Sequence, residues 1–157
     1  MKNLKSNNIN KNKGFTLIEL LVVGVILAIL VATAVASMSS NIDETKLDKV
    51  SNDMAFIASK MMKCGVAKGG NFTNCNITTL RSREYLDTSW GDGTGISPFG
   101  GNYTAAVVAG NTNRFTVAST AIPSDAKCLQ LSDRWTNQSV VAPTCNSGTF
   151  TFTQGTR

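Results

Sequence analysis

Residues 15–36 form an apolar run in which Glu19 is the only charged side chain. As a helix rising 1.5 Å per residue, these 22 positions span roughly 33 Å, close to the hydrocarbon thickness of a bilayer. The run is apolar all round, as suits a helix surrounded by apolar material. Beyond residue 36 the pattern changes. Leu47, Val50, Met54, Ile57, Met61 and Cys64 recur at steps of 3, 4, 3, 4 and 3, which is one helical face. Asp48, Lys49, Asp53, Lys60 and Lys63 fall between them and suit the solvated side. The pattern predicts one long helix from about residue 15 to Cys64, apolar on all sides in its first half and amphipathic in its second. Gly65 is its expected stop. Gly24 and Ala32-Thr33-Ala34 are its soft points.

The remaining chain reads differently. Residues 67–102 are glycine-rich, polar and irregular, with one short helix expected over 79–87 behind a threonine cap. Asp92, Gly93 and Gly95 would allow an anion nest or a calcium loop. No second acid lies beside them, so an ordinary turn is expected. Strands are predicted over 103–109, 114–119 and 149–154, with a hairpin turn at 110–113. In the last of them Phe150 and Phe152 alternate with threonines, as in a half-buried strand. Ser124 follows Pro123, and Cys128, Leu131 and Trp135 follow at helical spacing, which favours a short helix over the alternative of a strand. The expected fold class is α+β, a long N-terminal α-helix packed on an antiparallel β-sheet.

Length and composition narrow the function classes. The 157 residues suit one domain plus an anchor. The formal charge of +5 comes from the N-terminus: Lys2, Lys5, Lys11 and Lys13 lie in residues 1–14, and without them 11 basic residues face 10 acidic ones. Bulk charge therefore gives no argument for direct nucleic-acid binding. The four early lysines instead hold the N-terminus on the cytoplasmic side of a membrane. Cys64, Cys75, Cys128 and Cys145 allow three disulfide pairings in an exported chain. Loop-closure entropy favours the local ones, Cys64 with Cys75 and Cys128 with Cys145. A metal site is the weaker reading, because there is no histidine and no C-x-x-C spacing. Lack of histidine also removes the commonest general base of a hydrolase. Four N-x-[ST] triplets occur, at Asn71, Asn76, Asn102 and Asn137; in a chain this rich in Asn, Ser and Thr they assign no glycosylation.

Lys13-Gly14-Phe15-Thr16-Leu17-Ile18-Glu19-Leu20 joins a basic tail to the apolar run without a gap. This stretch resembles the N-terminus of type IV pilin precursors and their pilin-like relatives. The resemblance implies cleavage after Gly14 by a prepilin peptidase, N-methylation of the new first residue Phe15, and assembly through Glu19 and the Phe15 amine. It is tight over about 13–35 and looser elsewhere. Residues 97–103 resemble the approach to the first strand of many pilins and pseudopilins. The region from Cys128 to Cys145 and the late strand resembles the disulfide-bounded C-terminal region of type IV pilins. Many relatives carry a proline where this chain has Ala36.

The resemblance implies four parts: a cleaved leader over 1–14, a transmembrane and filament-core half-helix over 15–36, an amphipathic half-helix over 37–65, and a globular head over 66–157. It implies a structural subunit rather than an enzyme, without cofactor or metal. The chain would enter the inner membrane with its N-terminus cytoplasmic, be handed to the pilus assembly machinery, and polymerise as a homo-oligomeric helical filament outside the cell. A pseudopilin of a type II secretion system and a minor pilin share these features. A membrane-anchored periplasmic enzyme is the remote alternative.

Overall fold

The computed structural model describes residues 16–155, without the side chains of 34–41. Gly14 and Phe15, the expected cleavage and methylation positions, lie outside the described residues, as does the side chain at Ala36. Helix α1 (Leu17–Val66) comes first, then α2 (Ile77–Ser82), a 3-10 turn at Thr88–Trp90, β1 (Tyr103–Val108), β2 (Asn111–Ser119), α3 (Asp125–Trp135), β3 (Val141–Asn146) and β4 (Thr149–Gly155). The four strands form one antiparallel sheet in the order β1-β2-β4-β3. A long helix followed by this sheet is consistent with an α+β pilin fold. The chain divides into two compact units between Asn41 and Ile42.

In the second unit, α1 meets the sheet through the stripe predicted from its periodicity. Leu47, Val50, Met54, Ile57, Met61 and Cys64 are all fully buried. They share one core with Tyr103 and Ala105 of β1, Phe115 and Val117 of β2, and Phe150 and Phe152 of β4. The sheet supplies this face by strict alternation, with Thr104, Thr116, Thr151 and Thr153 turned the other way. The register aligns Ala105, Val117 and Phe152 across three strands. Each large side chain moved from water into this core contributes about 1.5–3 kcal/mol, which is how α1 is held on the sheet.

Two flanks are tied to α1 by polar contacts. On one, the Tyr103 hydroxyl donates to Asp53 Oδ2 at 3.0 Å, and Trp90 stacks on Phe56 with centroids 5.7 Å apart. Lys46, Lys60 and Lys63 lie over the rings of Phe99, Phe56 and Tyr85. On the other, Trp135 of α3 donates its indole N–H to Ser51 Oγ at 3.2 Å, and Arg134 pairs with Asp48. That ion pair is exposed and adds at most about 1 kcal/mol, so the flank depends on Trp135, which also stacks on Phe152 at 4.0 Å.

Several boundaries differ from the sequence expectation. Helix α1 runs to Val66 rather than Cys64, so Gly65 is not the stop. Its role is close approach: a Cβ there would sit 2.3 Å from the Phe72 ring. The stop is Gly69 and Gly70, both at positive φ, whose N–H groups bond back to Val66 and Gly65 carbonyls. Helix α2 is Ile77–Ser82, not 79–87, and its cap is Asn76, whose Oδ1 accepts from Thr79 N–H at 2.8 Å. The hairpin turn is shorter than expected, so β2 begins at Asn111. At 125–135 the helix forms and the strand does not, with Ser124 accepting from Lys127 N–H.

Strand β3 has no counterpart among the predicted strands. Pro143 interrupts its apolar run, and proline in a run argues against a central strand. The structure places β3 at the sheet edge, where a missing N–H is tolerated. Val141 pairs with Thr153 and Thr144 with Thr151, so the bulge falls at Ala142 and Pro143. Disulfides join Cys64 to Cys75 and Cys128 to Cys145. The first ties the end of α1 to the segment before α2, and the second ties α3 to the edge strand.

Two outcomes test this packing. Phe152→Ala should lower stability by about 3–5 kcal/mol in urea unfolding of the detergent-solubilised chain, because it opens a cavity beside Trp135. A Cys64→Ser, Cys75→Ser double variant should lose about 2–4 kcal/mol. Non-reducing peptide mapping of the parent should recover only the two local pairs; a Cys64–Cys128 peptide would contradict this arrangement.

Candidate assembly site

The N-terminus of α1 is closed by two residues that bond reciprocally. Thr16 stands before the first helical residue, Leu17, and Glu19 is the third residue of the helix. The Thr16 backbone N–H donates to Glu19 Oε2 at 2.9 Å, and the Thr16 hydroxyl donates to the same oxygen at 3.0 Å. In return Glu19 N–H reaches Thr16 Oγ1 at 3.3 Å and the Thr16 carbonyl at 3.1 Å. This is a capping box, in which side chain and backbone satisfy each other's open groups at a helix start. A carboxylate there also faces the positive end of the helix dipole. No described residue donates to the second oxygen, Oε1.

The helix that follows exposes its apolar side chains throughout. Leu17, Ile18, Leu20, Leu21, Ile26, Leu27, Ile29 and Leu30 are among the exposed large hydrophobics. Thr33 breaks this run, and its hydroxyl is satisfied within the helix by the Leu30 carbonyl at 3.0 Å and the Ile29 carbonyl at 3.3 Å. The Thr33 hydroxyl is therefore bonded inside the chain, as it would have to be in an apolar surrounding. Among the described residues no helix is long and apolar enough to cross a membrane. In the sequence the run continues to residue 36.

Of the residues expected from sequence to carry assembly, only Glu19 is described at this site. The partner expected for it, the Phe15 amine, is outside the described residues. Thr16 is the addition that the structure makes. Its signal in the sequence is the T-x-x-E spacing of Thr16 and Glu19, but the charge of Glu19 masks its local role as a capping residue. The four cysteines lie in the other unit, in two bonds that position elements of the head.

The head carries its own electrostatics. Burial, and then the Asp53 carboxylate at its hydroxyl, push the Tyr103 phenol well above its ordinary value. The Ser89 hydroxyl and N–H hold the exposed Asp87 carboxyl below its usual range, and the Thr94 hydroxyl and N–H do the same for Asp92. Asp92 thus serves a turn: Oδ1 accepts from Thr94 N–H at 3.0 Å. Gly93 beside it is at positive φ, and a Cβ there would lie 2.2 Å from the Tyr103 carbonyl. Among the described residues no group of three or more His, Cys, Asp or Glu could hold a metal ion.

Residues 9–35 match the family model described as the prokaryotic N-terminal methylation motif. The chain thus carries the prepilin-type cleavage and methylation motif, over the stretch that holds Gly14, Phe15, Thr16 and Glu19. No curated protein and no solved structure matches the chain.

The Tyr103 shift sets an alkaline limit on the fold. A phenol whose pKa is raised by folding contributes stability that is whole below the unfolded value of about 10 and is lost as pH rises through the folded value. Stability should therefore fall above about pH 10. In absorbance titration, the phenolate step missing from Tyr103→Phe should be the one that accompanies unfolding.

Proposed function

We propose that this chain is the precursor of a type IV pilin: a structural subunit stored in the inner membrane and polymerised into an extracellular filament. The motif itself supports a pilin-like or pseudopilin substrate. The observation that carries the finer reading is the continuity of three features in one chain. A peptidase and methylation motif leads directly into a helix apolar on all sides, and that helix leads into a disulfide-stapled α+β head. An anchor alone would need the apolar run but not a carboxylate in it. A carboxylate at the fifth position after Gly14 is of use where a positive group of another subunit enters the same apolar surrounding.

The sequence of events follows from charge and solvation. The lysines of residues 1–14 keep the leader on the cytoplasmic side while the head folds in the oxidising compartment and closes its two disulfides. Cleavage after Gly14 exposes the Phe15 amine, and methylation leaves it positively charged. In a bundle of apolar helices, that amine and the Glu19 carboxylate of a neighbouring subunit are each costly alone and tolerable as a pair. The pair sets the axial register, and contact between apolar helix surfaces supplies most of the cohesion. Adhesion, motility, aggregation and DNA transfer are the uses such a filament serves.

Two measurements test the reading. Intact mass of sheared surface fibres should fit a chain beginning at Phe15 with one added methyl; retention of residues 1–14 on assembled protein would refute it. Glu19→Val should leave membrane insertion and cleavage near the parent level, because removing a charge eases residence in lipid and Gly14 is unchanged. Fibres should be absent from that strain by electron microscopy. Normal fibres would favour an uncleaved membrane anchor instead.

A further inference from the structure

The head has a cleft of about 210 Å³, open to solvent and lined by Lys49, Asp53, Ser89, Trp90 and Ile96. None of these residues belongs to the candidate assembly site. Asp53 is held in place. Its Oδ2 accepts from the hydroxyl of buried Tyr103 at 3.0 Å and from Lys49 Nζ at 3.2 Å. Its Oδ1 meets Lys49 Nζ alone, at 3.3 Å. The Lys49 side chain is 63% exposed, so its ammonium has hydrogens left to give. Trp90 is held by its stack on Phe56, and no described residue accepts from its indole N–H. Trp135, by contrast, gives its indole N–H to Ser51. The Ser89 hydroxyl donates to Asp87 and keeps lone pairs with which to accept. We propose that this cleft is a binding site for the terminal sugar ring of a neutral glycan.

The chemistry of the lining selects that class. Open donors at Lys49 and Trp90 stand beside open acceptors at Asp53 Oδ1 and Ser89, around one aromatic ring and the aliphatic side chain of Ile96. A sugar ring carries the complement. Its hydroxyls each donate and accept, and its C–H groups suit the electron-rich face of an indole. The charged members of the lining, Lys49 and Asp53, already cancel each other. A charged ligand would have to break that pair or remain unpaired, whereas a neutral one leaves it whole. Size points the same way, since the cleft is smaller than a usual drug-sized pocket and suits one ring rather than an extended chain. Asp53 and Trp90 are fixed before any ligand arrives, so little ordering opposes binding. The site lies within the head and stands whether or not the chain assembles into a filament.

The two tryptophans of the chain make a paired reporter. The ¹⁵N-labelled full chain, in a sugar-free detergent, would be titrated with the methyl glycosides of glucose, galactose, mannose and N-acetylglucosamine. These carry the anomeric substituent of a chain end. With at least one of them the Trp90 indole N–H resonance should move and saturate in the millimolar range, while that of Trp135 stays in place. Lys49→Ala should weaken this binding roughly tenfold, the factor a hydrogen bond from a charged group commonly carries. Its Trp135 resonance should remain at the parent position, which shows the core intact. Trp90→Phe keeps a ring on Phe56 but loses the indole donor, and magnetisation transfer from protein to glycoside should fall with it. A lining that merely ties α1 to β1 would bind nothing, and the parent titration alone exposes that case. No saturable shift with any of the four glycosides would overturn the proposal, as would equal shifts at both tryptophans or parent-level affinity in Lys49→Ala. Tighter binding of sialic acid or glucosamine than of every neutral glycoside would overturn the neutral class. Binding of a free sugar but not of its methyl glycoside would overturn the terminal-ring reading.

Discussion

The burial of one stripe of α1 is the interaction on which the head depends. Leu47, Val50, Met54, Ile57, Met61 and Cys64 are removed from water together, and the inner residues of β1, β2 and β4 are removed with them. The sheet has one apolar face, which must be buried against another element. It needs a helix laid over it, and a helix with one apolar stripe needs a sheet. Everything else in the head elaborates that contact. The 67–102 segment covers one flank through Trp90, Phe99 and Tyr85, and α3 covers the other through Trp135. The two disulfides staple these covers, Cys64 to Cys75 before the 67–102 segment and Cys128 of α3 to Cys145 of β3, with Cys64, Cys75 and Cys128 in the buried core.

The first part of α1 obeys another constraint. Its apolar residues have no partner within the described chain, and its polar ones have made their own arrangements. Thr33 bonds back to the preceding turn, and Thr16 and Glu19 close the helix end on each other. The Thr16 and Thr33 hydroxyls are thus bonded within the helix. Capping supplies donors to the Glu19 carboxylate and leaves its negative charge in place.

Legibility in the sequence varies with the kind of signal. The amphipathic stripe is readable residue by residue, because a period near 3.6 sustained from Leu47 to Cys64 fits a helix and no other regular element. The alternation of Phe150 and Phe152 with threonines is readable in the same way, as a period of two. Caps and stops are less so. Gly65 looks like a helix stop, yet it is a contact point for Phe72, and only the folded chain brings that ring to it. Asn76 rather than a threonine caps α2, a choice between adjacent polar residues that local pattern leaves open. Thr16 is inconspicuous at the candidate site because capping is a short-range device and the motif around Glu19 invites a long-range reading.

The sequence by itself determined the apolar run with its single acid, the helical stripe, the α+β order of elements and the even set of cysteines. Each of these is written in local spacing and needs no knowledge of what lies across the fold. Only the tertiary structure decided the strand order β1-β2-β4-β3 and the place of β3 at its edge. Pro143 forbids a central position but says nothing of whether an edge is available. Tertiary structure likewise decided that Asp53 faces Tyr103 and that Trp135 meets Ser51, pairs separated by 50 and 84 residues. Such contacts depend on how helix and sheet cross, and that crossing is set by the sum of core side-chain shapes rather than by any one stretch of chain.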